Sequence, residues 1–497
     1  MKRTILFSAA LLLLFNVSNA QIETFDLSEF KLPYLKVERL DLDFGLGSDN
    51  YFSSRKDTSD LSFGGSSINS RFQTGGIYNL YLNTPTQQSE YTVVSGLQIT
   101  PIRLSESVYD DESSISNKYS SLNFEISGSS RNRFYTNDLF FIETGPYIGF
   151  SYDLSSSKTQ EKDASDNVTF ERIMKFNIPQ INAAIEFGGG YGRIENVTDA
   201  QMALFILKDL TKENRLENDP SHQEIYELAE LISQKRTQRF FDNRHRIIAQ
   251  IQAIDSLLTS QGLINQSDAT YFTTIYDNWL YARNPYRASG FRISGGPKMG
   301  YYTLRFSSSF EYNEPPIPTN ESESRITTLD YGFWVLAIDE KPLNHFWQRT
   351  LSADFHYVFY HNTRQFDEAE KNQRKENDLS LLLSGGYGYY PNTRTYINFG
   401  MQAGWHRNNL EGYFYPVDSD YDDDDYLYQR IFVRPNINGY YYFSPRLRFS
   451  FGGSVSYNFY KTDNFEVIRS PFEDVFNYKT LKLFNIFINA GFTYAVF

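Results

Sequence analysis

The chain has 497 residues, and 42 Phe, 38 Tyr and 4 Trp give it an aromatic fraction of 17%. So many bulky apolar side chains exclude a disordered chain, although the mean hydropathy is −0.48. The net charge of −13 argues against nucleic-acid binding, which depends largely on Lys and Arg that neutralise phosphates. The absence of cysteine excludes disulfides, thiolate zinc sites, cysteine nucleophiles and lipid attachment through an N-terminal Cys.

The first 20 residues have the pattern of a secretory signal peptide. Lys2 and Arg3 precede an apolar run from Ile5 to Phe15, and small residues flank a cleavage site after Ala20. A membrane anchor is the alternative, but the run is shorter than the roughly 20 residues that a spanning helix needs. No later segment is apolar enough for such a helix, so the exported chain is either soluble or spans a membrane as a closed β-barrel.

Alternation of apolar and polar residues predicts about 14 strands. Six are predicted before a long interruption, near residues 38–52, 68–83, 89–103, 120–136, 139–156 and 173–192. Eight follow it, near residues 291–312, 324–340, 347–363, 378–390, 393–409, 426–443, 446–460 and 481–497. In the strand that begins at Arg446, for example, Phe449 and Phe451 alternate with Arg448 and Ser450. A soluble sheet with one wet face has the same alternation, but these segments exceed the usual globular strand of about 5–6 residues.

The interruption between the sixth and seventh predicted strands has helical spacing instead. Two apolar stripes carry this pattern, the first with Ile225, Leu228, Ala229 and Ile232 and the second with Ile247, Ile251, Ile254 and Leu258. Thr198 with Gln201, and Ser221 with Glu224, have the spacing of capping boxes at two helix starts. Three or four helices are therefore predicted, the last over residues 267–281.

The predicted elements divide the chain into four parts. These are a signal peptide (1–20), an N-terminal part of the sheet (21–197), an α-helical insert (198–288) and a C-terminal part of the sheet (289–497).

Aromatic residues cluster at predicted strand ends, as in residues 386–390 and 439–443, where Tyr suits a membrane–water interface. With the signal peptide, the alternating strands and a terminal Phe497, these features resemble Gram-negative outer-membrane β-barrels of the porin-like kind. The resemblance covers most of the mature chain and implies an all-β transmembrane antiparallel β-barrel with short periplasmic turns and long outer loops. Phe497 departs from the usual pattern because it is out of phase with the outward set Phe484, Ile486, Ile488, Phe492 and Tyr494.

The resemblance also implies a location and partners. Strand counting places the helical insert on the periplasmic side, as a small domain below the pore or as a plug, and a packed helical cap without any ligand is an equal alternative. The expected partners are outer-membrane lipid, lipopolysaccharide, the barrel-assembly machinery and a periplasmic protein at the insert. No cofactor and no nucleic acid are expected.

Motifs with known chemistry are scarce. The glycine-rich run 188–192 lacks the Lys-Ser/Thr ending of a phosphate loop, so close backbone packing is the preferred interpretation. Asp418, Asp420 and Asp422 have spacing for Ca²⁺, but Gln429 replaces the acidic ligand expected at the twelfth position. A solvated acidic loop, bridged to lipopolysaccharide phosphates by divalent ions, is the alternative to a calcium site.

Three histidines are candidates for an enzyme site, because some outer-membrane barrels are hydrolases built around a histidine near the rim. His361 and His406 lie near predicted outer strand ends, and His356 shares a polar face with Asp354. No HExxH or GxSxG pattern accompanies them, so an enzyme is not expected and a rim hydrolase is the least favoured reading.

The predicted polar face carries charges of both signs, which are too costly to face lipid at mid-depth. The candidates for lining a lumen are Arg305, Arg394, Arg430, Arg434, Arg448, Glu125, Glu186, Asp330 and Asp354. Such charges either pair and close the lumen or line a wet passage. The leading hypothesis is a porin-like channel for small polar solutes, and the alternative is a non-conducting assembly or docking protein that uses the insert.

Overall fold

The protein is described here by a computed structural model. The structure covers residues 21–31, 34–56, 62–108, 113–163, 165, 167–237, 243–281, 287–312, 320–367, 371–412, 426–462 and 480–494. The predicted signal peptide, the acidic residues Asp418, Asp420 and Asp422, and Phe497 lie outside these described residues.

Fourteen antiparallel strands form one sheet in which every strand pairs with its neighbour in sequence. The strands are β1 (Leu35–Lys56), β2 (Ser62–Asn83), β3 (Gln87–Val108), β4 (Ser113–Tyr135), β5 (Phe140–Lys162), β6 (Val168–Asn196), β7 (Ala288–Tyr312), β8 (Asn320–Pro342), β9 (Trp347–Phe366), β10 (Asn372–Asn392), β11 (Thr395–Gly412), β12 (Tyr426–Ser444), β13 (Leu447–Thr462) and β14 (Thr480–Tyr494). The predicted fold class, a β-barrel of about 14 strands with a helical insertion, is confirmed.

The two faces of the sheet differ in chemistry because side chains alternate along each strand. On β1, Leu42 and Phe44 are 63% and 74% exposed on one face, while Asp41 and Asp43 lie on the other. Residues paired across neighbouring strands share a face, so the ladder pairings extend this assignment around the sheet. We call the apolar side the outer face and the charged side the inner face, as expected for a barrel wall in a bilayer.

Strands β1 and β14 form the two edges of the ladder. Within the described residues no pairing joins them, so the hydrogen-bonded ring is not closed there. The apolar set predicted to point outward on β14 does lie on one face, and Ile488 in that set is 79% exposed.

Connections of two kinds alternate along the sheet. The turns at residues 84–86, 136–139, 343–346, 393–394 and 445–446 lie at one end, which we call the short-turn end. The connections at the other end include two long ones, at residues 413–425 and 463–479. Because β6 runs towards the short-turn end and β7 leaves it, the helical insert between them lies at that end.

Four helices form the insert. They are α2 (Thr198–Lys212), α3 (His222–Thr237), α4 (Asn243–Ser260) and α5 (Ala269–Leu280), and a short helix α1 (Gln21–Thr24) precedes the sheet. Both predicted apolar stripes contribute to one core, in which Ile225, Ile232, Ile254 and Leu258 are fully buried. No helix in the described part of the chain is long and apolar enough to cross a membrane.

Only one of the two predicted capping boxes forms. Ser221 N donates to Glu224 Oε2 over 2.6 Å and Glu224 N donates to Ser221 Oγ over 3.3 Å, as the prediction requires. The box at Thr198 is wrong, because Thr198 N instead donates to Asn196 Oδ1 over 2.9 Å and the Thr198 hydroxyl accepts from Arg287 N over 2.9 Å. Thr198 is therefore used to join the two ends of the insert.

Candidate functional site

The helical insert and the N-terminal segment share one hydrophobic core. Phe25, Leu27 and Phe30 of the segment pack among the apolar side chains of α2 and α3, and all are buried. The Tyr226 hydroxyl also donates to the backbone carbonyl of Lys31. We therefore treat residues 21–31 and 198–281 as one capping unit.

The last helix of the capping unit is tied to the β10–β11 turn. Arg394 makes an ion pair with the Asp277 carboxylate and lies 4.9 Å from the ring centre of Tyr281. Thr393 Oγ1 donates to Asn278 Oδ1 over 3.2 Å. The hydrogen bond that Arg394 donates to Asp277 raises the pKa of Arg394, so the guanidinium stays charged throughout the physiological range.

The exit from the insert is tied to the β8–β9 turn through Arg287, whose side chain is fully buried. Its guanidinium donates to Gln348 Oε1 over 3.0 Å, to the His345 carbonyl over 2.6 Å and to the Trp347 carbonyl over 2.8 Å. It donates to the Asn344 carbonyl as well. Burial lowers the pKa of Arg287 to about 10, which leaves the group protonated at neutral pH.

Further contacts reach other parts of the short-turn end. Gln201 of α2 donates to the His345 carbonyl over 3.3 Å, and Lys208 lies 4.5 Å from the ring centre of Phe346. The Tyr281 ring lies 5.5 Å from that of Tyr442 on β12. On the far side, Tyr81 of β2 packs against the apolar core of the unit. Contacts from β2 to β12 mean that the capping unit crosses the short-turn mouth of the barrel.

Above the capping unit, the inner face carries a buried cluster of charges from three neighbouring strands. Glu143 is 1% exposed, and its Oε1 lies 3.2 Å from Arg133 and 3.4 Å from Arg131. Arg131 also pairs with Glu186 over 2.7 Å and lies 5.8 Å from the ring centre of Trp334. These pairs link β4 to β5 and β6 and rigidify this part of the wall.

The glycine run beside this cluster is explained by close packing, as predicted. A Cβ atom at Gly188 would lie 2.5 Å from the Gly295 carbonyl oxygen and 3.2 Å from the Trp334 ring. A Cβ atom at Gly190 would collide with the Phe141 ring. The glycines therefore make room for aromatic side chains on the inner face.

Six of the predicted lumen residues lie on the inner face, apart from the cluster that contains Glu186. On β12 and β13, Arg430 donates to Asn458 Oδ1 over 2.8 Å, Arg434 lies 5.9 Å from the Phe432 ring and Arg448 lies 5.8 Å from the Tyr440 ring. The carboxylates Glu125, Asp330 and Asp354 share this face through the strand register.

Two predicted lumen residues lie elsewhere. Arg394 belongs to the short-turn end and binds the capping unit, as described above. Arg305 is on the outer face, because Lys298 and Leu304 of the same strand occupy the inner parity. It pairs over 2.6 Å with Glu323, and the two side chains are 57% and 44% exposed. The prediction for Arg305 is thus wrong, because this part of β7 extends towards the long-loop end, where polar side chains also occur on the outer face.

The histidines form separate pairs with aspartates on the inner face. His356 Nε2 lies 2.7 Å from Asp354 Oδ1, and His406 Nε2 lies 2.7 Å from Asp378 Oδ2. Ser380 faces both imidazoles across the ladder, but no hydrogen bond joins its hydroxyl to either ring within the described residues. His361 has the opposite parity and lies on the outer face.

Among the residues that the structure describes, no group of three or more His, Asp or Glu side chains is placed to hold a metal ion. Asp418, Asp420 and Asp422, the candidate calcium ligands, lie outside those residues. The calcium site therefore stays a prediction.

The sequence did not single out Arg131, Arg133 and Glu143, although they form a charged cluster on the inner face in which Arg133 and Glu143 are buried. One signal was available, because Arg131 and Arg133 recur with a period of two near the end of a predicted strand. Only the register of β4 against β5 shows that Arg133 lies opposite Glu143.

No known protein-family profile matches the chain, and no curated protein matches it. Among solved structures, the transport unit of the autotransporter AIDA-I from Escherichia coli is similar at 8% identity and a TM-score of 0.23, over 81% of this chain and 94% of that one. The translocator domain of autotransporter NalP from Neisseria meningitidis is similar at 8% identity and a TM-score of 0.18, over 78% and 91%. BauA, the ferric preacinetobactin receptor from Acinetobacter baumannii, aligns at 7% identity and a TM-score of 0.11, over 92% and 80%. At these identities and TM-scores the similarities identify no family for the chain.

Proposed function

We propose that the protein is an outer-membrane channel for small polar solutes, with a periplasmic mouth that the capping unit closes. The outer face is apolar, as lipid contact requires, and the inner face carries charged and amide side chains, as a wet passage requires. A barrel of 14 strands is wide enough for a passage that side chains alone do not fill.

The placement in the outer membrane rests on the sequence pattern of the first 20 residues and on the alternating strands. In barrels of this architecture the short turns face the periplasm, which would put the capping unit on that side. Outer-membrane lipid, lipopolysaccharide and the barrel-assembly machinery are then the proposed partners.

One observation carries the proposal of a closed mouth, namely that the capping unit contacts turns and strand ends on opposite parts of the ring. Tyr81 of β2 packs on its core, and the Asp277–Arg394 pair fixes it beyond β10. A unit fixed at both sides obstructs the passage, and polar contacts of this kind can break and re-form. We therefore expect the full-length protein to show brief openings instead of steady conductance.

The test is planar-bilayer conductance of the detergent-folded full chain. Asp277→Asn and Arg394→Gln each weaken one attachment and should raise the fraction of time spent open. The chain has no cysteine, so Asn278→Cys with Thr393→Cys provides a unique pair for a short bifunctional thiol reagent. Crosslinking this pair should hold the channel closed.

The matched control is Asn278→Cys alone, treated with the same reagent, which should behave like the untreated protein. Steady, full conductance that neither the weakened variants nor the crosslink alters would show that the unit does not close the mouth. Silence from the folded protein and from every weakened variant would rule out the channel.

A second candidate function is docking of a periplasmic protein, with the barrel as a non-conducting anchor. It is favoured by two exposed aromatic side chains one turn apart on α5, Phe272 and Tyr276, which are 39% and 41% exposed. A photo-crosslinking residue at Tyr276 should then give one discrete adduct in cells, and Phe272→Ser should abolish it. No adduct at all, with a conducting barrel, would exclude this candidate.

A further inference from the structure

A cavity of about 650 Å³ lies against the inner face at the short-turn end. Its walls come from β1 to β4 and from β6 to β8, and Tyr81 in its lining also packs against the capping unit. The volume is typical of sites for small organic ligands, which run from about 300 to 1,000 Å³. The cavity is thus a solute-sized space immediately above the proposed closure.

The lining is charged with both signs. Five ionisable side chains of Arg and Glu line it, namely Arg39, Arg133, Arg292, Glu90 and Glu340. Arg39 pairs with Asp41 over 2.6 Å, and Arg133 pairs with Glu143 over 3.2 Å. Glu340 accepts from Gln348 and Thr350, which are neutral donors. Glu340 therefore has hydrogen-bond donors but no cationic partner among the described residues.

Two of the charges have no hydrogen-bond or ion-pair partner in the part of the chain that the structure describes. Arg292 on β7 and Glu90 on β3 line the same cavity, but they do not form an ion pair with each other. Arg133 also lines the cavity, but it is buried and pairs with Glu143. Opposite charges that share a cavity without touching leave room for a ligand that bridges them.

We propose that this cavity binds a small zwitterionic solute, with its carboxylate on Arg292 and its ammonium group on Glu90. Arg292 has an unpaired guanidinium for a carboxylate and Glu90 an unpaired carboxylate for an ammonium group, while Arg133 and Glu340 line the same cavity with their own partners. A ligand with one charge only would leave the opposite group in the cavity unpaired, which is unfavourable in a partly dehydrated space. Amino acids and short peptides carry both groups.

Transport of this solute through the channel rests on the proposed function. Binding of the solute in the cavity does not. The cavity adjoins the capping unit, so a bound solute would occupy the last site before the closed mouth. Binding and conduction can therefore be measured separately on the same preparation.

The experiment is isothermal titration calorimetry of the detergent-folded full chain with glycylglycine at neutral pH. Glycylglycine should bind, while acetate, ethylammonium and the uncharged N-acetylglycinamide should bind at least about tenfold more weakly. Arg292→Gln and Glu90→Gln should each weaken glycylglycine binding by about tenfold or more. Arg292→Lys and Glu90→Asp keep the charges and should retain part of the affinity.

Arg305→Gln is the matched control, because it makes the same change on the same strand but on the outer face. It should leave binding unchanged, and the circular dichroism of every variant should match that of the parent. Failure of glycylglycine to bind the folded parent protein, or equal binding of N-acetylglycinamide, would overturn the proposal. A protein that binds glycylglycine without conducting would refute the channel and leave the site intact, whereas conduction without binding would refute only the site.

Discussion

Replacing Arg287 with Ala should loosen the attachment of the capping unit to the β8–β9 turn, because this one side chain makes several of the hydrogen bonds there. The side chain is fully buried and donates to four oxygen atoms, three of them backbone carbonyls at residues 344, 345 and 347. It also lies 5.1 Å from the ring centre of Tyr390. Removing it leaves these acceptors without their donor at the junction between the insert and the β8–β9 turn.

The magnitude follows from two opposing terms. Hydrogen bonds to a charged group contribute about 1.5–3 kcal/mol each, so four of them would give roughly 6–12 kcal/mol in sum. Burial of a guanidinium without a carboxylate partner costs several kcal/mol, and the substitution removes that cost. The net loss should be about 3–5 kcal/mol, the range usual for breaking a buried charged contact. Local opening of this junction should then increase by about a hundredfold to several thousandfold.

Amide hydrogen exchange of the detergent-folded protein measures this opening directly. Peptides from α2 and from residues 343–347 should lose protection in Arg287→Ala, while peptides from β11 should not. Amide protection in Arg287→Lys should be intermediate between that in the parent protein and that in Arg287→Ala, because one ammonium group cannot reach all four acceptors. The control is Arg305→Ala, whose solvent-exposed ion pair should contribute little to stability. Equal protection of α2 in Arg287→Ala and Arg305→Ala would refute the reasoning.

Three other substitutions test separate parts of the structure. Glu143→Gln should lower the unfolding free energy by about 3–5 kcal/mol in denaturant titrations, because it leaves the buried guanidinium of Arg133 without its carboxylate partner. The control Glu311→Gln, at an exposed ion pair, should change the unfolding free energy by at most about 1 kcal/mol. Equal effects of the two substitutions would contradict this account. Gly190→Ala should sharply reduce the yield of folded barrel on gels that separate folded from unfolded protein, because its Cβ would meet the Phe141 ring. At the start of α5, the hydrogen bond that Arg215 donates lowers the pKa of Asp268. The ionised carboxylate therefore stabilises the fold fully above the unfolded-state pKa of about 3.9. This stabilisation is lost as the pH falls through the lower folded-state pKa. The helical circular dichroism signal should therefore decline only in that acidic range. If Asp268→Asn shows the same decline, the pH dependence comes from other groups.

The strands were predictable because a period of two is a local property. The turn at residues 445–446 and the alternation of Phe449 with Arg448 follow from neighbouring residues alone, and the structure places them as expected. Arg305 shows the limit of that pattern. Its neighbours Leu304 and Phe306 point inward at the long-loop end, so the apolar and polar faces exchange places there, beyond the apolar band.

The inner face was less predictable because it depends on which residues meet across strands. Glu143 lies opposite Arg133 only by the register of β4 and β5, and Arg292 reaches the same cavity as Glu90 although three strands separate β7 from β3. Side chains at such distances in the sequence leave no common local signature. The same holds for Arg287, whose partners belong to a turn reached only after β7 and β8.

The shared core of the capping unit has a consequence for assembly order. Phe30 is synthesised before the first strand, and the helices that bury it follow six strands later. The core therefore cannot form until the first six strands and the helices have been synthesised, and closing so long a loop is entropically unfavourable until its contacts form together. Once formed, the core connects the N-terminal segment before β1 to the helices between β6 and β7. This connection keeps β1 close to the middle of the sheet while the sheet curls. The capping unit would in this way act as an internal clamp during insertion into the membrane, before it has any passage to close.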